Sequence, residues 1–272
     1  MATRAEKVAR FRALHASGIF VIANAWDAGS ARVLAGLGFE AIATSSGAMA
    51  NTLGRIDGNV TRDEALAHAK AIVGATDVPV SADLEKGFGD KPEDAALTIR
   101  LAAQAGLAGG SIEDYSGDKA NPIYGVAQAA ERVAAAAEAA RGAKDGFVLT
   151  ARTEINLHGK GNLDETILRL QAFEKAGAEV LFAPGLPDLA AVKAVCAAVT
   201  KPVNFMVGIP GKSWSIAELQ AAGVRRVSVA TSLYKAAMSG LIAAAREIRE
   251  QGTFGYVERG VPSQEISRHM KR

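Results

Sequence analysis

Short β-type runs alternate with longer amphipathic segments eight times along this chain of 272 residues, and that alternation restricts the fold more than any other feature. The strand-like runs lie at 19–25, 39–45, 78–83, 108–113, 146–153, 179–183, 202–207 and 226–230. Helical patterns occupy 28–37, 61–74, 93–105, 125–141, 163–176, 187–198, 214–222 and 232–250. Four segments read alike, LAGLGFEAI, AAQAGLAGGSI, FEKAGAEVLF and LQAAGVRRVSV: a helix end, a glycine suited to a left-handed cap (Gly38, Gly106, Gly177, Gly223), then a short strand. Thr61 and Glu64 form a capping box at the start of the second helix. Eight βα units in a chain of this length predict one (β/α)8 barrel, an α/β TIM barrel, because such barrels take about 250 residues. The core is expected over about residues 18–250 of a single domain 1–272, with 251–272 as a C-terminal tail. A doubly wound open sheet is the competitor. It would announce its nucleotide site with G-x-G-x-x-G after the first strand, where this chain has ANAWDAGS.

Composition narrows the function. Lys and Arg number 31 against 29 Asp and Glu, so no basic field is built to hold nucleic acid. One cysteine, Cys196, rules out an intrachain disulfide and a Cys-based metal cluster, and a reducing cytoplasmic compartment is the default expectation. The charged N-terminus lacks the apolar core of a secretory signal, and the Ala-rich run 133–140, broken by Glu138, is too short to cross a bilayer.

In a (β/α)8 barrel, chemistry belongs at the C-terminal strand ends, and there the acidic residues gather. Asp83 and Glu85 close the third strand two residues apart, so an extended backbone would project both the same way, and Glu113 ends the fourth strand beside Asp114. Three converging carboxylates without His or Cys describe a site for a hard cation, Mg2+ or Mn2+, with several retained waters. The alternative is a set of solvated loop acids paired with Lys86 and Lys119. Arg152 ends the fifth strand, where its fork suits a substrate carboxylate or phosphate, or an ion pair with Glu113 or Glu154. Ser46, Gly47 and Ala48 end the second strand with small side chains that let backbone N–H groups approach an anion. The polar loops 55–59 and 114–124 are candidate lids.

These residues resemble the isocitrate lyase/phosphoenolpyruvate mutase superfamily. The likeness runs through Asn24-Ala25-Trp26-Asp27, Ser46-Gly47, Asp57, the block Asp83–Gly89, Ile112-Glu113-Asp114 and Ala151-Arg152-Thr153-Glu154, and covers roughly residues 18–235. The resemblance implies a Mg2+-dependent barrel enzyme acting on small 2-oxo or 2-hydroxy acids through a pyruvyl enolate. It implies that Asp83, Glu85 and Glu113 hold the metal, directly or through water. It places Arg152 and the backbone of Ser46, Gly47 and Ala48 on the substrate carboxylate and Asp57 beside the reacting centre. Lys119 and Asn121 match a gating-loop pattern. A homotetramer with exchanged C-terminal helices is also implied.

The departures from that pattern are informative. The lid segment has no Cys and no His, so the two isocitrate-type lyase activities are not expected. Cys196 falls in the sixth predicted helix as a small hydrophobe. Glu85 stands where the family has Asp, and Ala183-Pro184-Gly185 follow the sixth strand where mutase-like members have a His. Asn204, on the seventh strand, faces either the substrate or a structural partner. With no lid cysteine, decarboxylation or C–C cleavage of an oxaloacetate-like acid needs the fewest added parts. The alternatives are phosphonomutase or C–P hydrolase chemistry and a non-catalytic 2-oxo acid binder. Gly208–Ser213 mimics the tail of a P-loop, but Met206 stands at its first glycine position. Lys86 is the sole candidate for Schiff-base chemistry, His158 alone among the four histidines follows a strand end, and 268–272 is expected to fray.

Overall fold

The computed structural model describes residues 2–158 and 161–270. Strands β1 (Phe20–Asn24), β2 (Ala41–Ala43), β3 (Val80–Asp83), β4 (Gly109–Glu113), β5 (Val148–Arg152), β6 (Val180–Phe182), β7 (Val203–Met206) and β8 (Arg226–Ser228) pair in parallel in chain order. The barrel closes where β8 returns to β1, with Phe20 against Arg226 and Ile22 against Ser228. The helices are α1 (Arg4–Ala16), α2 (Ala28–Gly36), α3 (Ser46–Thr52), α4 (Arg62–Ala75), α5 (Pro92–Gln104), α6 (Val126–Gly142), α7 (Leu163–Ala176), α8 (Leu189–Ala198), α9 (Ile216–Ala221), α10 (Ser232–Gln251) and α11 (Ser263–Met270). Every strand and helix expected from the periodicity is present, with ends shifted by two residues at most.

The outer core lies between the barrel and its helices and holds the outward-facing apolar residues of the strands, among them Ile42, Ala82, Leu149 and Val227. Gly38, Gly106, Gly177 and Gly223 all take positive φ, as left-handed helix exits require. Thr61 and Glu64 cap α4 reciprocally.

Three α-helices lie outside the periodic pattern, as does a 3-10 turn at Gly255–Arg259. A second capping box, Thr3 with Glu6, starts α1, which crosses the bottom of the barrel. Its Phe11 and Val8 are buried against Phe20, Val148 and Val180. Gly109 permits this plug, because a Cβ there would stand 2.8 Å from the Phe11 ring. Deleting a buried ring of this kind costs about 3–5 kcal/mol. The run Ser46-Gly47-Ala48 is not a loose turn but the start of α3, with Ser45 as its N-cap. The C-terminal residues through Met270 do not fray: α11 lies on α2, where the Arg32 guanidinium donates to the Met270 carbonyl at 2.6 Å. Gly36 makes room for the His269 ring. Residues 271–272 of the expected frayed end lie outside the described residues.

Candidate active site

The C-terminal ends of the strands enclose a cavity of about 290 Å3 that runs down into the barrel. Beside it is a chamber of about 380 Å3, and the two share Ser46, Asp57, Arg152 and Leu157.

Asp83, the last residue of β3, lines the first of them. Its Oδ2 accepts from the Ser46 hydroxyl at 3.1 Å and from the Ser46 N–H at 3.4 Å, and its Oδ1 accepts from the Glu85 N–H at 3.3 Å. Glu85 follows with φ at +49°, in the left-handed region. The backbone has therefore left the strand, and Glu85 reaches the chamber through a turn rather than by extended alternation from Asp83. Non-glycine residues in this region mark local strain, and Ala230, on the cavity wall beyond β8, shares it with φ at +47°.

Parallel register sets Glu113 of β4 beside Arg152 of β5. The Arg152 guanidinium contacts Glu154, lies 3.5 Å from Glu113 and 3.8 Å from Asp83, and stands over the Phe182 ring at 5.0 Å. Burial works against its charge, but Glu154, Glu113 and Asp83 more than offset that and raise its pKa. One cation does not neutralise these acids. Burial raises the Glu113 pKa well above the carboxylate range, against the pull of Arg152, with Glu154, Asp83 and Glu85 adding to the rise. Glu85 is pushed up to about 7, by burial first and then by Asp83 and Asp57. Asp57 is raised by burial and by Asp83.

The expected site residues fare unequally. Ser46 and Asp57 line both spaces. Gly47 gives Asp57 its room, since a Cβ there would lie 3.0 Å from Asp57 Oδ2. Ala48 is not brought to the cavity: it is buried in α3, and its N–H is taken by the Ser45 hydroxyl at 3.4 Å. Asn204 reaches the cavity floor, with its side chain already committed. Its Nδ2 donates to the Ser228 hydroxyl at 2.9 Å, and its Oδ1 accepts from Arg226 Nε at 2.8 Å. Lys119 and Asn121 lie on the exposed tip of a flap closed by the Tyr115–Ile123 bridge, and they line neither space. Asn121 is turned into the flap, its carbonyl accepting from Ser116 Oγ at 2.6 Å. Lys86 Nζ donates to Asp90 at 2.7 Å and to the Ser116 carbonyl at 2.6 Å, so it pins the flap and takes no position inside the barrel for a Schiff base. Cys196, on α8, has its thiol pKa raised to about 11 by burial, as befits a packing residue.

Among the described residues no three His, Cys, Asp or Glu side chains stand close enough together to hold a metal ion. Asp83, Glu85 and Glu113 are therefore not a direct triad. Glu113 is drawn onto Arg152, and the turn at Glu85 sets that carboxylate apart. The buried, poorly neutralised acids still fit a cation that touches one carboxylate and meets the others through water, the usual manner of Mg2+.

Several residues take roles that the sequence left unassigned. Tyr115 and His158 stack at 4.2 Å across the chamber mouth, joining the flap to the loop after β5. Asn24 Oδ1 accepts from the Val229 N–H at 2.9 Å and Nδ2 donates to the Thr44 carbonyl at 2.7 Å, tying β1 to the loops after β2 and β8. Asp114, which reads in sequence as a partner of Glu113, is turned away. It accepts from Thr153 Oγ1 and the Glu154 N–H, each at 2.8 Å, and pairs with Arg169 at 3.1 Å, holding the loop that carries Glu154.

The sequence profile of the phosphoenolpyruvate phosphomutase family matches residues 11–249. The 2-methylisocitrate lyase of Escherichia coli K12 is 30% identical over 226 residues, covering 79% of this chain and 75% of that enzyme. An oxaloacetate decarboxylase of Pseudomonas fluorescens Pf0-1 is 30% identical over 239 residues, covering 86% of this chain and 80% of that enzyme. A provisionally assigned lyase/mutase of Burkholderia cenocepacia J2315 superposes with a TM-score of 0.95 at 50% identity, covering 97% of this chain and 95% of that one.

Proposed function

The chain belongs to the phosphoenolpyruvate phosphomutase family, within the isocitrate lyase/phosphoenolpyruvate mutase superfamily, and from that premise we propose that it is a Mg2+-dependent lyase that breaks the bond at C3 of an oxaloacetate-like 2-oxo acid. The observation that carries this reading is the group of half-buried carboxylates Asp83, Glu85 and Glu113 at the ends of β3 and β4, with Arg152 the cation that lies against Asp83 and Glu113 and with the Glu85 and Glu113 pKa values raised. In this reading Asp83, oriented by Ser46, would hold the cation together with Glu85 and Glu113. Mg2+, or Mn2+, supplies Lewis-acid polarisation of the 2-oxo group and so lowers the cost of the negative charge that forms when the bond breaks.

The chain's own residues do the rest. Arg152 takes the substrate carboxylate on its fork, held in place by Glu113, Glu154 and the face of Phe182. Asp57, whose pKa burial and Asp83 raise above its ordinary value, stands beside the cavity where it can pass a proton to or from the reacting carbon. Lys119 and Asn121 contribute only if the flap moves over the chamber. Association into a homotetramer belongs to the same proposal, with Leu241 and Ile242, exposed on α10, as part of the surface to be covered. No described helix is long and apolar enough to cross a membrane.

The test is pyruvate release from oxaloacetate, phosphonopyruvate and 2-methylmalate with Mg2+, with Mn2+ and with EDTA. Oxaloacetate turnover that needs the metal and is lost in Asp83→Ala is the expected result. Turnover of phosphonopyruvate alone would replace C–C with C–P chemistry. Silence on all three while oxalate still binds would make the chain a binder without a reaction.

A further inference from the structure

Arg226 opens β8 inside the barrel and is only 5% exposed, yet among the described residues no carboxylate lies within ion-pairing distance of it. Its partners are neutral. Nε donates to Asn204 Oδ1 at 2.8 Å, Nη2 donates to Thr150 Oγ1 at 3.0 Å, and Nη1 faces His15 Nε2 at 3.3 Å. His15 supplies no charge: its Nδ1 sits 2.7 Å from the Phe11 carbonyl and must be the protonated nitrogen, which leaves Nε2 as a bare acceptor. Burial, with Arg226 adding to it, pushes the His15 pKa down to about 3. Arg226 itself is lowered to about 9 by burial and stays charged at neutral pH. Of the five guanidinium N–H groups, three are used, and the other two find no acceptor among the described residues.

A buried cation without a counter-ion is costly, and an apolar residue of similar size would fill a barrel without that cost. Arg226, however, faces the cavity that holds Arg152 and Ser46. Ala43, Ser81, Ser111 and Ser228 are among the residues lining that cavity, beside Ile22, Phe182 and Met206, and these small side chains leave room for a polar shaft. Thr150 and Arg152 lie two residues apart on one face of β5, a rise of about 6.6 Å, and Arg226 sits at the level of Thr150. The two cations therefore face the shaft at different levels, so an acid charged at both ends meets both of them and a monocarboxylate meets one.

We propose that Arg226 is a second anion anchor at the floor of the site, so that a four- or five-carbon dicarboxylic acid lies along the barrel axis with one carboxylate at Arg152 and the other at Arg226. The proposal rests on the reading of the site given above and deepens it. The substrate is selected as a dianion by the barrel interior, independently of the flap.

The experiment is calorimetric titration of the full chain in Mg2+ with oxalate, succinate and butyrate at fixed ionic strength. Succinate should bind at least about tenfold tighter than butyrate, the scale of one charge-assisted contact. Arg226→Gln should erase that preference and leave oxalate affinity in place, and Arg226→Lys should restore part of it. A wild-type chain that binds oxalate but does not prefer succinate overturns the proposal alone, even if Arg226→Gln fails to fold. So does an Arg226→Gln variant that keeps the preference, or that loses oxalate and succinate equally as a structural defect would. A wild-type chain that binds no oxalate in Mg2+ overturns the active-site reading, and the proposal with it.

Discussion

Glu85→Gln should make the metal-free chain more stable and, by the same change, less responsive to Mg2+. The Glu85 carboxyl is pushed from its ordinary 4.5 up to about 7, by burial and then by the charges of Asp83 and Asp57. In the unfolded chain it ionises at its ordinary value. Below that value both states are protonated and nothing is lost. As the pH rises toward 7 the folded state is progressively penalised, and above 7 the penalty is complete. The displacement corresponds to about 3 kcal/mol, and because the side chain is half-buried and water screens part of the field, about 2 kcal/mol is the better figure. Glutamine keeps the size and the left-handed backbone but carries no charge to penalise. Melting in EDTA at about pH 8 should therefore give Glu85→Gln a Tm about 4–8 °C above wild type, and the gap should shrink near pH 5. Mg2+ offsets the same charge, so wild type should gain more from it than the variant does. A variant that melts below wild type in EDTA at high pH, or that gains as much from Mg2+, would refute the claim that this carboxylate belongs to a group short of positive charge.

Two further perturbations read neighbouring parts of the site. Arg152→Lys should weaken oxalate binding by at least about tenfold, because an ammonium cannot present the two parallel donors of the fork. Unchanged affinity in a calorimetric titration would remove Arg152 as the carboxylate clamp. Asp114→Asn should destabilise the chain by about 1–2 kcal/mol, because it takes one of two anions from buried Arg169, which keeps Glu165 at 2.9 Å, and disturbs the acceptors of Thr153 Oγ1 and the Glu154 N–H. Urea unfolding checks this, and a loss below about 1 kcal/mol would show that the pair contributes little to stability.

The architecture was legible because both of its periods are written locally. Apolar positions recur at helical spacing, glycines exit the helices, and short β-branched runs follow. What escaped is long-range. The segment forming α1 is rich in charge, and only Val8, Phe11 and a few neighbours are buried; nothing local tells that a barrel floor waits for them. Ser45 and Ser46 read as a turn because α3 is only seven residues long and the Asp83 bond that fixes its start comes from β3. The acids were found because barrel topology alone brings strand ends together. The exact reach of Glu85 was not, because a positive φ at a glutamate leaves no trace in composition.

The interior of the barrel was nonetheless encoded, in a period that a search for strands passes over. Both faces of a barrel strand are buried, but the outer face meets helices and must be apolar, whereas the inner face need only fill or line the lumen. Val80-Ser81-Ala82-Asp83, Gly110-Ser111-Ile112-Glu113 and Leu149-Thr150-Ala151-Arg152 alternate in this way, and Arg226-Val227-Ser228 continues the pattern with Val227 packed outward. The alternate polar positions are the residues that line the shaft or bond across it. A polar lumen of small side chains cannot act as a packed core, so those positions serve a ligand or water rather than stability. Of the two arginines among them, Arg152 lies against Asp83, Glu113 and Glu154 whereas Arg226 meets neutral groups, so Arg226 is the residue whose presence most needs an occupant of opposite charge.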